Sequence, residues 1–251
     1  MEELFVCAMD IGERMLTSGA EVHRVEESIE RMCYAFGAQR IDVFIITSSM
    51  IATVYDACGR SYTQTRRILN SGTDFERLHQ LNRLSREICE KKLTDCEQIR
   101  EKLETATECK AYPVWTEFAV FAIIAGAFTF FFGGSIAETA VSLVIGALVR
   151  LGISVSSRAV QNKIFSKFFS SVLACLFAFF AVKMGIIDAA DKVIIGNIMT
   201  LIPGVGFTNA IRDLFTGDSI AGILRTIEAV LIALAIAAGY FLVSVFGGGM
   251  L

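Results

Sequence analysis

Apolar positions recur at helical spacing from the start of the chain. Leu4, Ala8, Ile11 and Met15, with Phe5, Met9, Gly12 and Leu16 alongside, predict a helix that Thr17, Ser18 and Gly19 close. Val22, Val25, Ile29, Met32 and Phe36 predict a second helix, with Glu21, Arg24, Glu26, Glu27, Glu30 and Arg31 around the rest of its circumference and Gly37 as the stop. The pattern then shifts to short runs rich in β-branched and aromatic residues, at 41–47, 50–55 and 61–68, separated by turn-forming stretches. These predict a three-stranded antiparallel meander. Thr73-Asp74-Phe75-Glu76 and Thr94-Asp95-Cys96-Glu97 fit the capping box, in which the Thr side chain and the Glu three residues on satisfy each other's backbone donors. A helical face follows each: Phe75, Leu78, Leu81, Leu84 and Ile88, then Ile99, Leu103 and Ala106.

Beyond Pro113 the polar face disappears. Apolar runs at 115–132, 136–155, 168–187, 193–211 and 220–246 each come near the roughly 20 residues a helix needs to cross a bilayer. The expected architecture is an α+β cytoplasmic domain, residues 1–110, followed by an all-α membrane domain of five transmembrane helices, residues 111–251. Only Gly133-Gly134-Ser135 joins the first two runs, whereas Arg150, Arg158, Lys163 and Lys167 lie at or between the second and third. Positive charge collects on the cytoplasmic side, so the N-terminal domain is expected there and the C-terminus outside.

Composition agrees with a membrane protein: 54% hydrophobic residues and a mean hydropathy of +0.57 exceed an ordinary soluble domain. A net charge of −3, without a Lys/Arg stripe interleaved with aromatics, argues against nucleic acid as a partner. The cysteines, at 7, 33, 58, 89, 96, 109 and 175, form no C-x-x-C pair, so reduced thiols are expected in place of a zinc centre or a disulfide framework. His23 and His79 fall on polar helix faces and read as solvated surface. Glu21, Arg24 and Glu26 read as an exposed ion-paired face, or alternatively as a surface that docks the domain on its own membrane part. No catalytic residues, metal ligands or cofactor are indicated, and no phosphate-binding loop is present. The acidic, amphipathic start differs from a signal peptide.

Ionisable groups in the apolar runs are costly unless partnered. Arg150 and Lys183 lie near the ends of their runs and can snorkel. Glu228 lies deeper in the fifth run, three residues after Arg225, where an i,i+3 pair or a coupling role would offset its cost. The fourth run is the most informative. Asn197, Thr200, Gly204, Thr208 and Arg212 fall on or near one helical face, a polar stripe across the bilayer, and Pro203, Gly204 and Gly206 break the helix. Such breaks build transport sites, because the half-helix after the break aims free N–H groups and its positive dipole end at an anion. Asn197, Thr200, Pro203, Gly204, Gly206 and Asn209 are therefore the candidate substrate-binding residues. Arg212, Asp213, Asp218, Arg225 and Glu228 are candidates for gating or coupling, with Asp213 paired to Arg212 or Arg225 and Asp218 capping the last helix.

Pro203-Gly204, Asn209, Arg212-Asp213, Gly217-Asp218 and Gly222 resemble the signature of the threonine/serine exporter family. Ser18-Gly19-Ala20-Glu21, Arg24-Val25-Glu26 and Asn82-Arg83-Leu84-Ser85-Arg86 resemble segments of that family's N-terminal part. The resemblance implies an inner-membrane secondary transporter, driven by the proton gradient, that exports threonine, serine or a dicarboxylate such as succinate. Fused members carry about ten spans; five imply the larger half of a split exporter, completed by a separate small membrane protein or a homo-oligomer within the lipid. The competing class is a membrane-anchored enzyme or sensor whose N-terminal domain acts on a cytoplasmic substrate.

Overall fold

A computed structural model describes residues 1–69, 71–108, 112–160 and 162–247. Cys109, the expected domain boundary at 110–111 and the C-terminal residues 248–251 lie outside the described residues. The chain forms two compact units. The first comprises Met1–Lys110 together with Val205–Thr226, and the second Ala111–Gly204 together with Ile227–Leu251.

In the first unit, α1 (Glu2–Thr17) and α2 (Val22–Ala35) are followed by an antiparallel sheet of β1 (Arg40–Ile46), β2 (Ser49–Tyr55) and β3 (Ser61–Arg67) in the order β1-β2-β3. Next come α3 (Phe75–Lys91) and α4 (Cys96–Thr107), and the unit is completed by most of α9 (Gly204–Thr216) and the start of α10 (Ser219–Gly247). The β1-β2 register sets Ile45 opposite Met50 and Ile41 opposite Val54. Met50, Ala52 and Val54 are therefore buried while Phe44 and Ile51 stay exposed, the alternation a one-sided sheet requires. The fully buried Phe5, Met9, Ile11, Met15, Ile29, Met32, Leu81, Ile88 and Ile99 make one core, each contributing roughly 1.5–3 kcal/mol by leaving water. Ala221 of α10 belongs to the same core.

The expected helix starts shift by one residue. Asp74 and Asp95 are the N-caps, Asp74 accepting from Arg77 N and Asp95 from Glu97 N and Gln98 N. The Asp carboxylate outcompetes the neighbouring Thr as acceptor, and the two Thr-based boxes do not form. A capping box does form at Ser135, which accepts from Glu138 N while Glu138 accepts from Ser135 N. Glu138 is thereby placed at a helix start with its carboxylate partnered.

In the second unit, α5 (Val114–Phe131), α6 (Ile136–Ala159), α7 (Lys163–Lys183), α8 (Asp191–Met199) and residues 227–247 of α10 pack through small residues. A Cβ on Gly146 would stand 2.7 Å from Phe121 O, and one on Gly239 would stand 2.8 Å from Phe168 O. The helix backbones approach that closely only because these positions are glycine. Thr129, Ser142 and Asn197 join α5, α6 and α8 through buried hydrogen bonds: Thr129 Oγ1 to Ser142 Oγ at 2.7 Å, and Asn197 Nδ2 donating to Ser142 Oγ at 2.8 Å. Arg150 pairs with Glu117 of α5 and lies over the Phe118 and Phe121 rings, so its charge is partnered within the unit.

The protein is a membrane protein. Four helices, Val114–Phe131, Ile136–Arg158, Lys163–Lys183 and Ser219–Phe246, are long and apolar enough to cross a bilayer. Asp191–Met199 and Gly204–Thr216 make a fifth candidate only if taken together across their break.

The expected fold class is overturned. Among the described residues the chain is predominantly helical, with ten helices and one small three-stranded sheet, and it does not divide into an α+β domain followed by an all-α membrane domain. Segment 205–226, read as the fourth run's end and the fifth run's start, packs with the N-terminal residues. Charge on that segment explains the error: Arg212, Asp213 and Arg225 find their partners in the first unit.

Candidate functional site

The turn between α1 and α2 is the focus of the first unit. Gly19 adopts φ +96°, a left-handed conformation that glycine tolerates best, and Glu21 occupies the N-cap position of α2 without a side-chain cap bond. Four groups from the α9-α10 hairpin clasp this turn. Asn209, Arg212 and Asp213 stand three and four residues apart on α9, hence on one face. Asn209 Nδ2 donates to Gly19 O at 3.1 Å, and Arg212 pairs with Glu21. Asp213 Oδ1 accepts from Val22 N at 3.2 Å, serving the first helical N–H of α2 from a position 191 residues away in sequence. Arg225 completes the clasp, Nη2 donating to Ala20 O at 3.0 Å and Nη1 standing 3.0 Å from Asp213 Oδ2.

Burial makes the Asp213–Arg225 pair the central element. Asp213 is fully buried and the Arg225 side chain is 14% exposed, so neither charge has bulk water as an alternative partner. The hairpin itself depends on two glycines. Gly217 takes φ +102°, and a Cβ on Gly222 would stand 2.9 Å from Leu214 N, which lets α10 close against α9.

Below the turn, α2 presents His23 and Glu26 at i,i+3 on one face, and Asp218 reaches them from the hairpin. One ligand atom from each of the three lies within 4.8 Å of the others. Ile45 N of β1 donates to one Glu26 oxygen at 3.0 Å. Burial pushes the Glu26 carboxyl up to about 7, and the Asp218 carboxylate adds to the shift, opposed by the Ile45 N–H bond and by His23. Asp218 Oδ2 is buried with no hydrogen-bond partner. Among the described residues this is the one group of His, Cys, Asp and Glu side chains arranged to hold a metal ion.

The candidate substrate residues divide between the two units. Asn197 is buried in the second, donating to Ser142 Oγ and Val193 O, and Thr200 Oγ1 donates to Asn197 O. Pro203 lies in the break, Gly204 opens α9, and Gly206 stands in its first turn. Asn209 lies in the first unit on the Gly19 turn. The expected continuous polar stripe from Asn197 to Arg212 does not exist, because the helix stops at Met199 and restarts at Gly204. Pro203 supplies no N–H, and its ring disfavours helical geometry at Ile202, which forces the interruption. The expected Arg225–Glu228 pair is replaced as well: Arg225 faces Asp213, and Glu228 stands 3.9 Å from Lys163.

Sequence reasoning did not single out Thr129 and Ser142, and it did not bring His23, Glu26 and Asp218 together as one group. Of the surface read at Glu21, Arg24 and Glu26, Glu21 pairs with Arg212, and the backbone of the Gly19 turn supplies the neighbouring contacts. Two hydroxyl residues inside apolar helices were the available signal for Thr129 and Ser142. Compared with the curated proteins and with the solved structures, nothing matches. One family model, described as "Putative threonine/serine exporter", matches residues 6–247, nearly the whole chain. A match over nearly the whole chain, in a protein with apolar helices of spanning length, shows that the chain belongs to the threonine/serine exporter family.

Proposed function

We propose that this chain is a component of a secondary exporter that moves threonine, serine or a related small carboxylate-bearing metabolite such as succinate across the inner membrane, driven by the proton gradient. The interrupted helix supports the reading in a chain of this family. Gly204 N donates to Ile202 O at 2.9 Å, and the turn of α9 that follows lies at the positive end of a helix dipole, suited to a substrate carboxylate. A Cβ at Gly204 or Gly206 would meet nothing within 4 Å, so the turn is open to a ligand. Thr200 and Pro203 precede it in the chain. Arg212, Asp213 and Arg225 act on this site as gating or support elements, and the transport unit is completed by a separate small membrane protein or a second copy.

The test is uptake of labelled threonine, serine and succinate by inside-out vesicles, with and without such a partner. Gly204→Val is expected to lower uptake at least tenfold at unchanged expression, since the added side chain has room to fold and blocks only the open turn. Wild-type uptake with unchanged concentration dependence would reduce the break to a kink. The proposed orientation has the connection holding Arg158 and Lys163 inside and Ser135 outside. In a cysteine-free background, Ser135→Cys should label in intact cells with an impermeant thiol reagent, and Asn162→Cys should not; the reverse pattern would invert the topology.

A further inference from the structure

Three side chains from two distant parts of the sequence converge in the first unit. His23 and Glu26 share a face of α2, Asp218 immediately precedes α10, and their ligand atoms lie within 4.8 Å of one another. A single imidazole nitrogen with two carboxylate oxygens is the donor mixture that suits a divalent cation of the manganese or zinc class; a thiolate set would select softer ions. A tetrahedral ion with bonds of roughly 2.0–2.2 Å holds its ligand atoms about 3.4 Å apart, a closure within reach of side-chain rotation.

Two further features favour an ion. Asp218 Oδ2 is buried and accepts no hydrogen bond, so this oxygen lacks the partner that buried carboxylate oxygens ordinarily have. Glu26 is held by the Ile45 N–H, which orients a ligating carboxylate in the manner of an outer-shell partner.

We propose that His23, Glu26 and Asp218 bind one divalent cation, which fastens the start of α10 to α2. Three protein ligands leave coordination positions for water. The clip is independent of which metabolite the protein exports, because none of its ligands lies in the interrupted helix.

Full chain purified in detergent is titrated with MnCl2 while the six-line electron paramagnetic resonance signal of the free ion is recorded. One saturable site per chain is expected, with competition by ZnCl2. The near-isosteric Glu26→Gln and Asp218→Asn variants, and His23→Gln, should each weaken binding at least tenfold while eluting as the wild type does. Pulsed measurement of the bound ion should detect coupling to an imidazole nitrogen, and His23→Gln should abolish it. Absence of saturable binding of either metal, undiminished affinity in Asp218→Asn, or a nitrogen coupling that survives His23→Gln would each overturn the proposal. A variant that fails to elute normally is replaced by the nitrogen-coupling measurement on the wild-type chain, whose outcome alone decides.

Discussion

Asp213→Ala is expected to destabilise the first unit by about 3–5 kcal/mol, the cost of leaving a buried arginine without its counter-charge. The residue does two things at once. It neutralises Arg225 and accepts the Val22 N–H at the start of α2, so its removal exposes a bare guanidinium and an unserved helix end together. Hydrogen exchange gives a residue-level readout. The Val22 amide should lose its protection in Asp213→Ala, and the amides of α3 should lose theirs only to the extent that the whole unit loosens. Asp213→Asn keeps an acceptor for Val22 and should cost less. Pairing Asp213→Ala with Arg225→Ala should recover part of the loss, because neither charge is then stranded. Unchanged Val22 protection in Asp213→Ala would show that the clasp does not hold the turn.

The second large effect is expected at Gly196. A Cβ there would stand 2.1 Å from Thr129 Oγ1 and 2.8 Å from both Ala125 O and Thr129 N. Backbone atoms of α5 cannot rotate away, so α5 and α8 must separate and the buried Thr129–Ser142–Asn197 hydrogen bonds must lengthen or break. Gly196→Val should therefore reach the upper end of overpacking costs, about 3 kcal/mol, and lower the thermal midpoint of the detergent-purified chain. Gly152→Ala is the contrast. Its Cβ would meet the end of the Leu173 side chain at 2.6 Å, and a flexible leucine can change rotamer. Equal loss of stability in the two variants would mean that Gly196 does not set the helix spacing.

Local order was legible in the sequence where a periodic pattern carried it. The amphipathic rows of α1 and α2, the β-branched runs of the sheet and the apolar helices α5, α6 and α10 fall within a few residues of their expected limits, whereas α7 starts five residues before the apolar run at 168–187. The break before Gly204 was legible too, since proline acts on its own neighbours. Allegiance between distant segments was not. Glu21 and Arg212 are separated by 191 residues, and neither carries any mark that it will meet the other. An apolar segment with scattered charges reads the same whether its charges face a cavity or another part of the protein. The sequence pattern accordingly did not reveal that Asn209, Arg212, Asp213 and Arg225 hold the Gly19 turn. The cap positions show the same limit on a smaller scale: in Thr-Asp pairs the pattern marks the helix start, but the carboxylate's greater strength as an acceptor selects which residue serves it.

The membership of 205–226 in the first unit also sets a schedule for biogenesis. When residue 110 leaves the ribosome, α2 has no acceptor at its first turn and the core lacks Ala221. Those groups arrive only after α5, α6, α7 and α8 have been synthesised, on the order of ten seconds later at typical elongation rates. The N-terminal residues must wait through that interval incompletely closed while apolar helices are delivered to the bilayer. A chaperone that shelters nascent chains would meet this protein at that stage, and the waiting ends when the last helix begins.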